Sequence, residues 1–205
     1  LQFIAHLVLL ETIFSRTYCR KRSAVDRSTT LLWIDLEMTG LDPERDVILE
    51  IASIVTDDNL QVLHEGPSLV IHHDDAVLDR MSDEVKELFS KSDLIERVKQ
   101  SSTSLEDAQA QTVAFIKQYC SNDEPPPLCG NSIWQDRVFL ARYMPQVLEL
   151  LHYRIIDVST IKELVNRWYP DDPDAKFNKA ETHRALADIR ESIAELKHYR
   201  EGFFI

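Results

Sequence analysis

Trp33-Ile34-Asp35-Leu36-Glu37-Met38-Thr39-Gly40 is the stretch from which the fold can be read. It reads as a strand running into a glycine turn. Side chains alternate faces along a strand, so Leu32, Ile34, Leu36 and Met38 share one apolar face. Asp35 and Glu37 share the other, at the end where strand meets turn. Two carboxylates side by side repel, and burying them costs free energy unless a cation lies between them. Hard divalent ions such as Mg²⁺ or Mn²⁺ take oxygen ligands of this kind. An Asp-x-Glu by itself more often decorates the wet face of a half-buried strand, so the rest of the chain has to decide.

Working outward, residues 30–38 form the first strand. The β-branched run Val47–Thr56 is the second, bounded by polar turns. Leu60–His64 and Ser68–Ile71 continue as a third, interrupted at Gly66-Pro67. That makes an antiparallel meander grown from the opening strand. Asp74 to Gln100 is polar and breaks into short helical pieces. Thr103-Ser104-Leu105-Glu106 matches a capping box, after which Leu105, Ala108, Thr112, Phe115 and Tyr119 recur at helical spacing. Leu128-Cys129-Gly130 is a short buried strand entering a helix over Ser132–Tyr143, closed by Pro145. Tyr153–Val158 is a further strand, and Val158, Ile161, Val165 and Trp168 make an apolar helical stripe. The last helix carries Leu186, Ile189, Ile193 and Leu196. A meander followed by alternating helices and strands predicts an α/β fold, a mixed sheet with helices packed on it.

The 205 residues suffice for one domain with its own core. Net charge is 23 − 35 = −12. That excludes a broad basic surface holding long nucleic acid by counterion release, but not a short one held by metal ions and a few donors. Three cysteines, Cys19, Cys120 and Cys129, lack metal-ligand spacing and suit a reducing, intracellular compartment. Residues 1–29 stand apart as a leader before a domain over 30–205. They are apolar at first, then rich in arginine and poor in acid, which suits a disordered leader and a mitochondrial transit peptide equally. The apolar run Leu1–Leu10, broken by Gln2 and His6, is too short to span a membrane as a helix, so no membrane partner is expected. The compartment is mitochondrial, cytoplasmic or both.

Further acids complete the pattern. Asp136, early in the middle helix, shares a face with Phe139, Leu140 and Tyr143, which turns it toward the core. His183 and Asp188 open the last helix. Five positions on a helix overshoot one turn by about 140°, so they do not share a face. His183 is expected at or before the first turn and Asp188 on the rigid helix, beside Ile189. Four carboxylates and an imidazole suit phosphodiester hydrolysis by two divalent ions, which clamp the attacking and leaving oxygens. An imidazole titrates near working pH and can take a proton from the attacking water.

At this point the chain resembles the DEDDh 3′–5′ exonucleases, and within them the oligoribonuclease branch, from Leu31 to about Tyr199. The motifs are the twelve residues at 33–44, Cys-Gly-Asn-Ser-Ile-x-x-Asp at 129–136, His-Tyr-Arg-Ile-Ile-Asp-Val-Ser-Thr at 152–160 and His-Arg-Ala-Leu-Ala-Asp-Ile-Arg-Glu-Ser at 183–192. The resemblance implies an RNase H-like fold. It makes Asp35, Glu37, Asp136 and Asp188 the ligands of two divalent ions, Mg²⁺ or Mn²⁺, and His183 the general base. Leu41 matches a wedge between the last bases of the substrate. Tyr153 and Arg154 match a pair that reaches the partner's site in a homodimer. Ser132, Arg154 and Ser159 match groups that close over a 5′ phosphate. The implied activity is hydrolysis of single-stranded RNA of roughly two to five nucleotides to 5′-mononucleotides.

One stretch departs from the family pattern. Met81-Ser82-Asp83-Glu84 carries an acid where the family has an aromatic, and Phe89 stands at a usual histidine. Phe89 is read as a ring that can still stack on a base, and Glu84 as a charge that would repel a phosphate. Two alternatives follow: an exonuclease trimming longer DNA or RNA 3′ ends, and a binding protein of the same fold that has lost catalysis.

Overall fold

The computed structural model describes residues 30–178 and 184–204. The leader over 1–29 and His183 lie outside the described residues. Five strands form one sheet: β1 (Leu31–Met38), β2 (Ile48–Thr56), β3 (Val62–Val70), β4 (Leu128–Gly130) and β5 (Ile155–Asp157). Their spatial order is β3-β2-β1-β4-β5. β1 to β3 form the antiparallel meander, whereas β4 and β5 run parallel to β1. The sheet is therefore mixed, as the sequence predicts.

β3 is continuous where the sequence suggests an interruption. Register shifts opposite Ala52–Ile54 absorb the Gly66-Pro67 pair. A proline is tolerated there because β3 is an edge strand. Gly66 is needed for space: a Cβ would stand 2.3 Å from Ser53 Oγ and 2.8 Å from the Phe115 ring.

The helices are α1 (Asp75–Leu78), α2 (Asp83–Phe89), α3 (Leu94–Gln100), α4 (Leu105–Tyr119), α5 (Ile133–Tyr143), α6 (Pro145–Leu148), α7 (Val158–Trp168) and α8 (Ala185–Phe203). The capping box of α4 is real but shifted by one residue. Ser104 is the cap, and Asp107 answers it from the third helical position. Pro145 does more than close α5, since it begins α6.

β1 is buried on both faces, so its acids do not decorate a wet surface. On one face Leu32, Ile34 and Leu36 pack with Phe115 and Ile116 of α4 and Phe139 and Leu140 of α5. On the other, Trp33 packs with Ile189, Ile193 and Tyr199 of α8 and Val158 and Val165 of α7. Trp168, placed in the apolar stripe of α7 by its spacing, is instead largely exposed at the end of that helix. A third cluster joins Leu49 and Val70 to Leu78, Met81, Phe89, Leu94 and Val98 of the α1–α3 segment. Among the described residues no helix is long and apolar enough to cross a membrane.

β1 and β4 lie side by side, yet the chain leaves β1 toward β2 and leaves β4 toward β5. This is a switch point of the sheet, and in open α/β sheets ligands bind at the carboxyl ends of strands around such a point. Gly130 ends β4 there. A Cβ on it would press Ile133 at 2.8 Å and the Ile34 carbonyl at 3.1 Å.

Candidate active site

Three carboxylates converge at the carboxyl end of β1. Asp35, Glu37 and Asp188 each offer an oxygen, and the three oxygens lie within 4.8 Å of one another. β1 supplies two of them by its alternation, and the first turn of α8 supplies the third. Asp188 sits beside Ile189, whose burial against β1 and β2 draws that turn onto the sheet.

Asp136 is not one of the converging three. It is buried in the first turn of α5, and its Oδ1 accepts the Leu36 N–H at 2.9 Å. That amide lies between Asp35 and Glu37 in the chain, so Asp136 is tied to the strand that carries them.

The electrostatics are those of a site short of positive charge. Burial pushes the Glu37 carboxyl up to about 8, and the charges of Asp188, Glu50 and Asp136 push the same way. Arg184 acts in the opposite direction. Burial likewise pushes Asp136 up to about 7, against the Leu36 amide, which favours the anion. Carboxylates gathered this closely and this deeply fit a divalent cation, whose charge would offset both the burial and the mutual repulsion.

Arg184 and Glu50 form a feature that the sequence reading does not single out. Glu50 stands opposite Glu37 in the strand register and is fully buried. Arg184 meets it through Nε and one terminal nitrogen, both at 3.1 Å, and its other terminal nitrogen reaches Asp93 at 2.9 Å. The Ala185 N–H adds a bond to Glu50 at 3.4 Å. This clamp fixes the start of α8 against β2. That Glu50, thirteen positions after Glu37, faces it becomes visible only once the strand register is known.

The residues matched to substrate contacts fall into two groups. Leu41 is 70% exposed on the turn after β1, its carbonyl accepting from Gln135 at 2.8 Å. Tyr153 is 69% exposed, with the Arg154 guanidinium 5.2 Å from its ring centre. Ser132 and Ser159 meet with their hydroxyls 3.2 Å apart, and the Ser132 N–H reaches both Asp157 Oδ1 and Ser159 Oγ at 3.0 Å. Ser132 stands one helical turn before Asp136, about 6 Å of rise.

Phe89 is a correction. It is 2% exposed and packs in the third cluster with Leu49, Met81 and Val98. The amphipathic pattern of α2 turns the ring into the core, so no face remains for a base. Glu84, on the same helix, is exposed.

Comparison with known proteins agrees with this geometry. The family model described as Exonuclease (RNase_T) matches residues 32–196. An oligoribonuclease of Pseudomonas putida is 55% identical over 173 residues, covering 84% of this chain and 95% of the relative. One from Dichelobacter nodosus is 51% identical over 181 residues, covering 88% and 98%. Among solved structures, exonuclease I of Methylocaldum szegediense superposes with a TM-score of 0.63 at 20% identity, over 84% of this chain and 40% of that one. Exonuclease I of E. coli in complex with single-stranded DNA gives 0.61 at 16% identity, over 85% and 41%. This chain thus spans about two fifths of the exonuclease I chains, and the likeness is one of fold, the RNase H-like α/β architecture.

Proposed function

This chain belongs to the oligoribonuclease branch of the exonuclease family, and from that we infer that it is a 3′–5′ exoribonuclease that degrades short RNA to 5′-mononucleotides. The observation that carries this is the convergence of Asp35, Glu37 and Asp188 at the end of β1, in a chain that matches oligoribonucleases almost end to end.

Asp35, Glu37, Asp136 and Asp188 hold two divalent ions, Mg²⁺ or Mn²⁺. When bound, such ions supply an ionised water and offset negative charge on the phosphoryl oxygens. The protein's own residues do the rest. His183 takes the proton of the attacking water. Leu41 wedges against the terminal bases, and an aromatic face such as Tyr153 stacks a base without reading its identity. Arg154 and the serines at 132 and 159 take the 5′ phosphate through charge-assisted bonds.

Closing on that phosphate limits good substrates to roughly two to five nucleotides. It also suits an acidic protein, which need not follow a long backbone. Tyr153 and Arg154 act across a homodimer, so that each protomer completes its partner's pocket. The acid-poor leader addresses the chain to an intracellular compartment, the mitochondrion among them.

The test is hydrolysis of a dinucleotide and of an RNA of about 20 nucleotides, each with Mg²⁺ or Mn²⁺. Fast cleavage of the first over the second is expected. No cleavage of either rejects the enzyme, and equal rates reject the preference for short chains.

A further inference from the structure

The turn that carries Leu41 is braced from inside and from outside. Inside it, the Asp46 carboxylate reaches back along the chain. Its Oδ1 accepts from the Thr39 hydroxyl at 3.1 Å and its Oδ2 from the Asp42 N–H at 3.0 Å. Having given its proton to Asp46, the Thr39 hydroxyl accepts the Val47 N–H at 3.0 Å, and the Thr39 N–H donates to the Val47 carbonyl at 3.0 Å. The two ends of the turn are thereby closed on each other. Gly40 leaves room for this: a Cβ there would collide with the Asp46 carboxylate.

Outside, α5 holds the same turn at two places. Near the start of the helix, Gln135 Nε2 donates to the Leu41 carbonyl at 2.8 Å. Flipping that amide would set oxygen against oxygen, so its orientation is fixed. At the end of the helix, the Tyr143 hydroxyl donates to the Asp46 carbonyl at 2.6 Å.

The residue after Gln135 is Asp136, which accepts the Leu36 N–H at 2.9 Å. Two successive residues of α5 therefore grip one stretch of chain. Asp136 fixes the strand that carries Asp35 and Glu37, and Gln135 fixes the turn that follows it. The distance from those carboxylates to Leu41 is set by a helix, not left to a free loop. Leu41 itself is 70% exposed and gains little from packing. Order beneath an exposed side chain is what a preorganised contact requires.

Resting on the reading of Leu41 as a wedge against the terminal bases, we propose that Asp46 and Gln135 are positioning residues that hold Leu41 at a set distance from the carboxylates of β1. Parting the terminal bases then also brings the scissile linkage into register with the site. Neither residue touches substrate; both act through Leu41.

The experiment is Michaelis kinetics on two substrates, a ribodinucleotide and the 4-nitrophenyl ester of uridine 5′-monophosphate. The ester has a phosphodiester to cut but a single base, so a wedge has nothing to part. The readout is the ratio of kcat/KM on the dinucleotide to kcat/KM on the ester. Wild type, Leu41→Ala, Gln135→Leu, Asp46→Ala and the two doubles with Leu41→Ala are compared. Gln135→Leu should lower the ratio roughly threefold to tenfold, the range of one hydrogen bond. Asp46→Ala should lower it by about tenfold or more, because bonds to a charged group are lost. Both losses should fall on kcat, since a loosened wedge still meets the bases but lets the linkage drift. Added to Leu41→Ala, either substitution should change the ratio by less than about twofold, there being no wedge left to hold. Losses that multiply in the doubles overturn the proposal. So does a proportional fall on both substrates, or a loss on the dinucleotide carried by KM alone. If Leu41→Ala keeps the wild-type ratio, the wedge reading fails and this assignment with it. A ratio lowered by Leu41→Ala but not by Gln135→Leu sinks this assignment alone. Gln135 is only partly buried, so its variant decides even where Asp46→Ala unfolds the turn.

Discussion

Asp136 accepts the backbone N–H of Leu36 at 2.9 Å, and Leu36 is the residue between the two acids of β1. A middle helix is thereby locked to the strand whose carboxylates it stands beside. Asp136→Asn keeps an acceptor for that amide and removes only the charge. We expect the fold to survive. In chelator the melting temperature should hold or rise, because a buried carboxylate with no cation is costly. Turnover should fall by about 100-fold or more if Asp136 serves the cations of the site. Thermal melts and single-turnover rates check both halves, and wild-type rates in this variant would take Asp136 out of the chemistry.

The raised carboxyls predict a pH signature. Glu37 is pushed up to about 8 and Asp136 up to about 7. A folded state that holds its protons more tightly than the unfolded chain gains stability from them below the ordinary carboxyl range. It loses that stability as pH rises through the folded values. In chelator, the melting temperature should therefore fall from the ordinary carboxyl range, about pH 4, and level off near about pH 8. A divalent cation takes the place of those protons, so the gap between metal-bound and metal-free melts should widen with pH, with protons released on binding. A gap that is constant across that range would show that these carboxyls do not share the cation's charge.

Much of this was legible before any coordinates. The period-two pattern of β1 put Asp35 and Glu37 together, and the helical stripe around Ile189 put Asp188 against the sheet. Asp136 could be placed on a core-facing side by its spacing to Phe139 and Leu140. What periodicity does not carry is pairing. That Glu50 faces Glu37, and that Arg184 answers it, depends on strand register and on where α8 begins. Glu195 and Asn131 lie 64 positions apart and meet only after folding. Phe89 failed for a related reason: a motif position says which residue is present, not which way its helix has turned.

Arg184 answers a carboxylate that has no access to water. Arg184→Met leaves Glu50 buried with its bidentate partner gone. Breaking one side of such a pair costs about 3–5 kcal/mol, here read as a lower denaturation midpoint. Replacing both ends, with Glu50→Gln added, should recover a large part of that loss, because no unpaired charge then remains. Equal instability in the single and double variants would mean that the clamp matters by shape rather than by charge.

Phe89 should behave as core. Phe89→Ala removes a ring that is 2% exposed and should cost about 3–5 kcal/mol. Below the lowered melting temperature, KM for a dinucleotide should change little. A selective rise in KM with unchanged stability would return the ring to the substrate.

Tyr153 provides the sharpest test of the dimer. It is 69% exposed, with Arg154 beside its ring, which suits a side chain completing a site on another protomer. Asp188→Asn disables a protomer's own carboxylates, and Tyr153→Ala disables what it lends. Each homodimer should then be weak. In a mixed dimer, the Tyr153→Ala protomer keeps its carboxylates and receives an intact tyrosine from its neighbour. Random exchange of equal amounts makes half the dimers mixed, each with one working site of two, so activity should return to about a quarter of wild type. Light scattering should report twice the 23.7 kDa of one chain. A mixture no more active than the sum of its parts would confine Tyr153 to its own protomer.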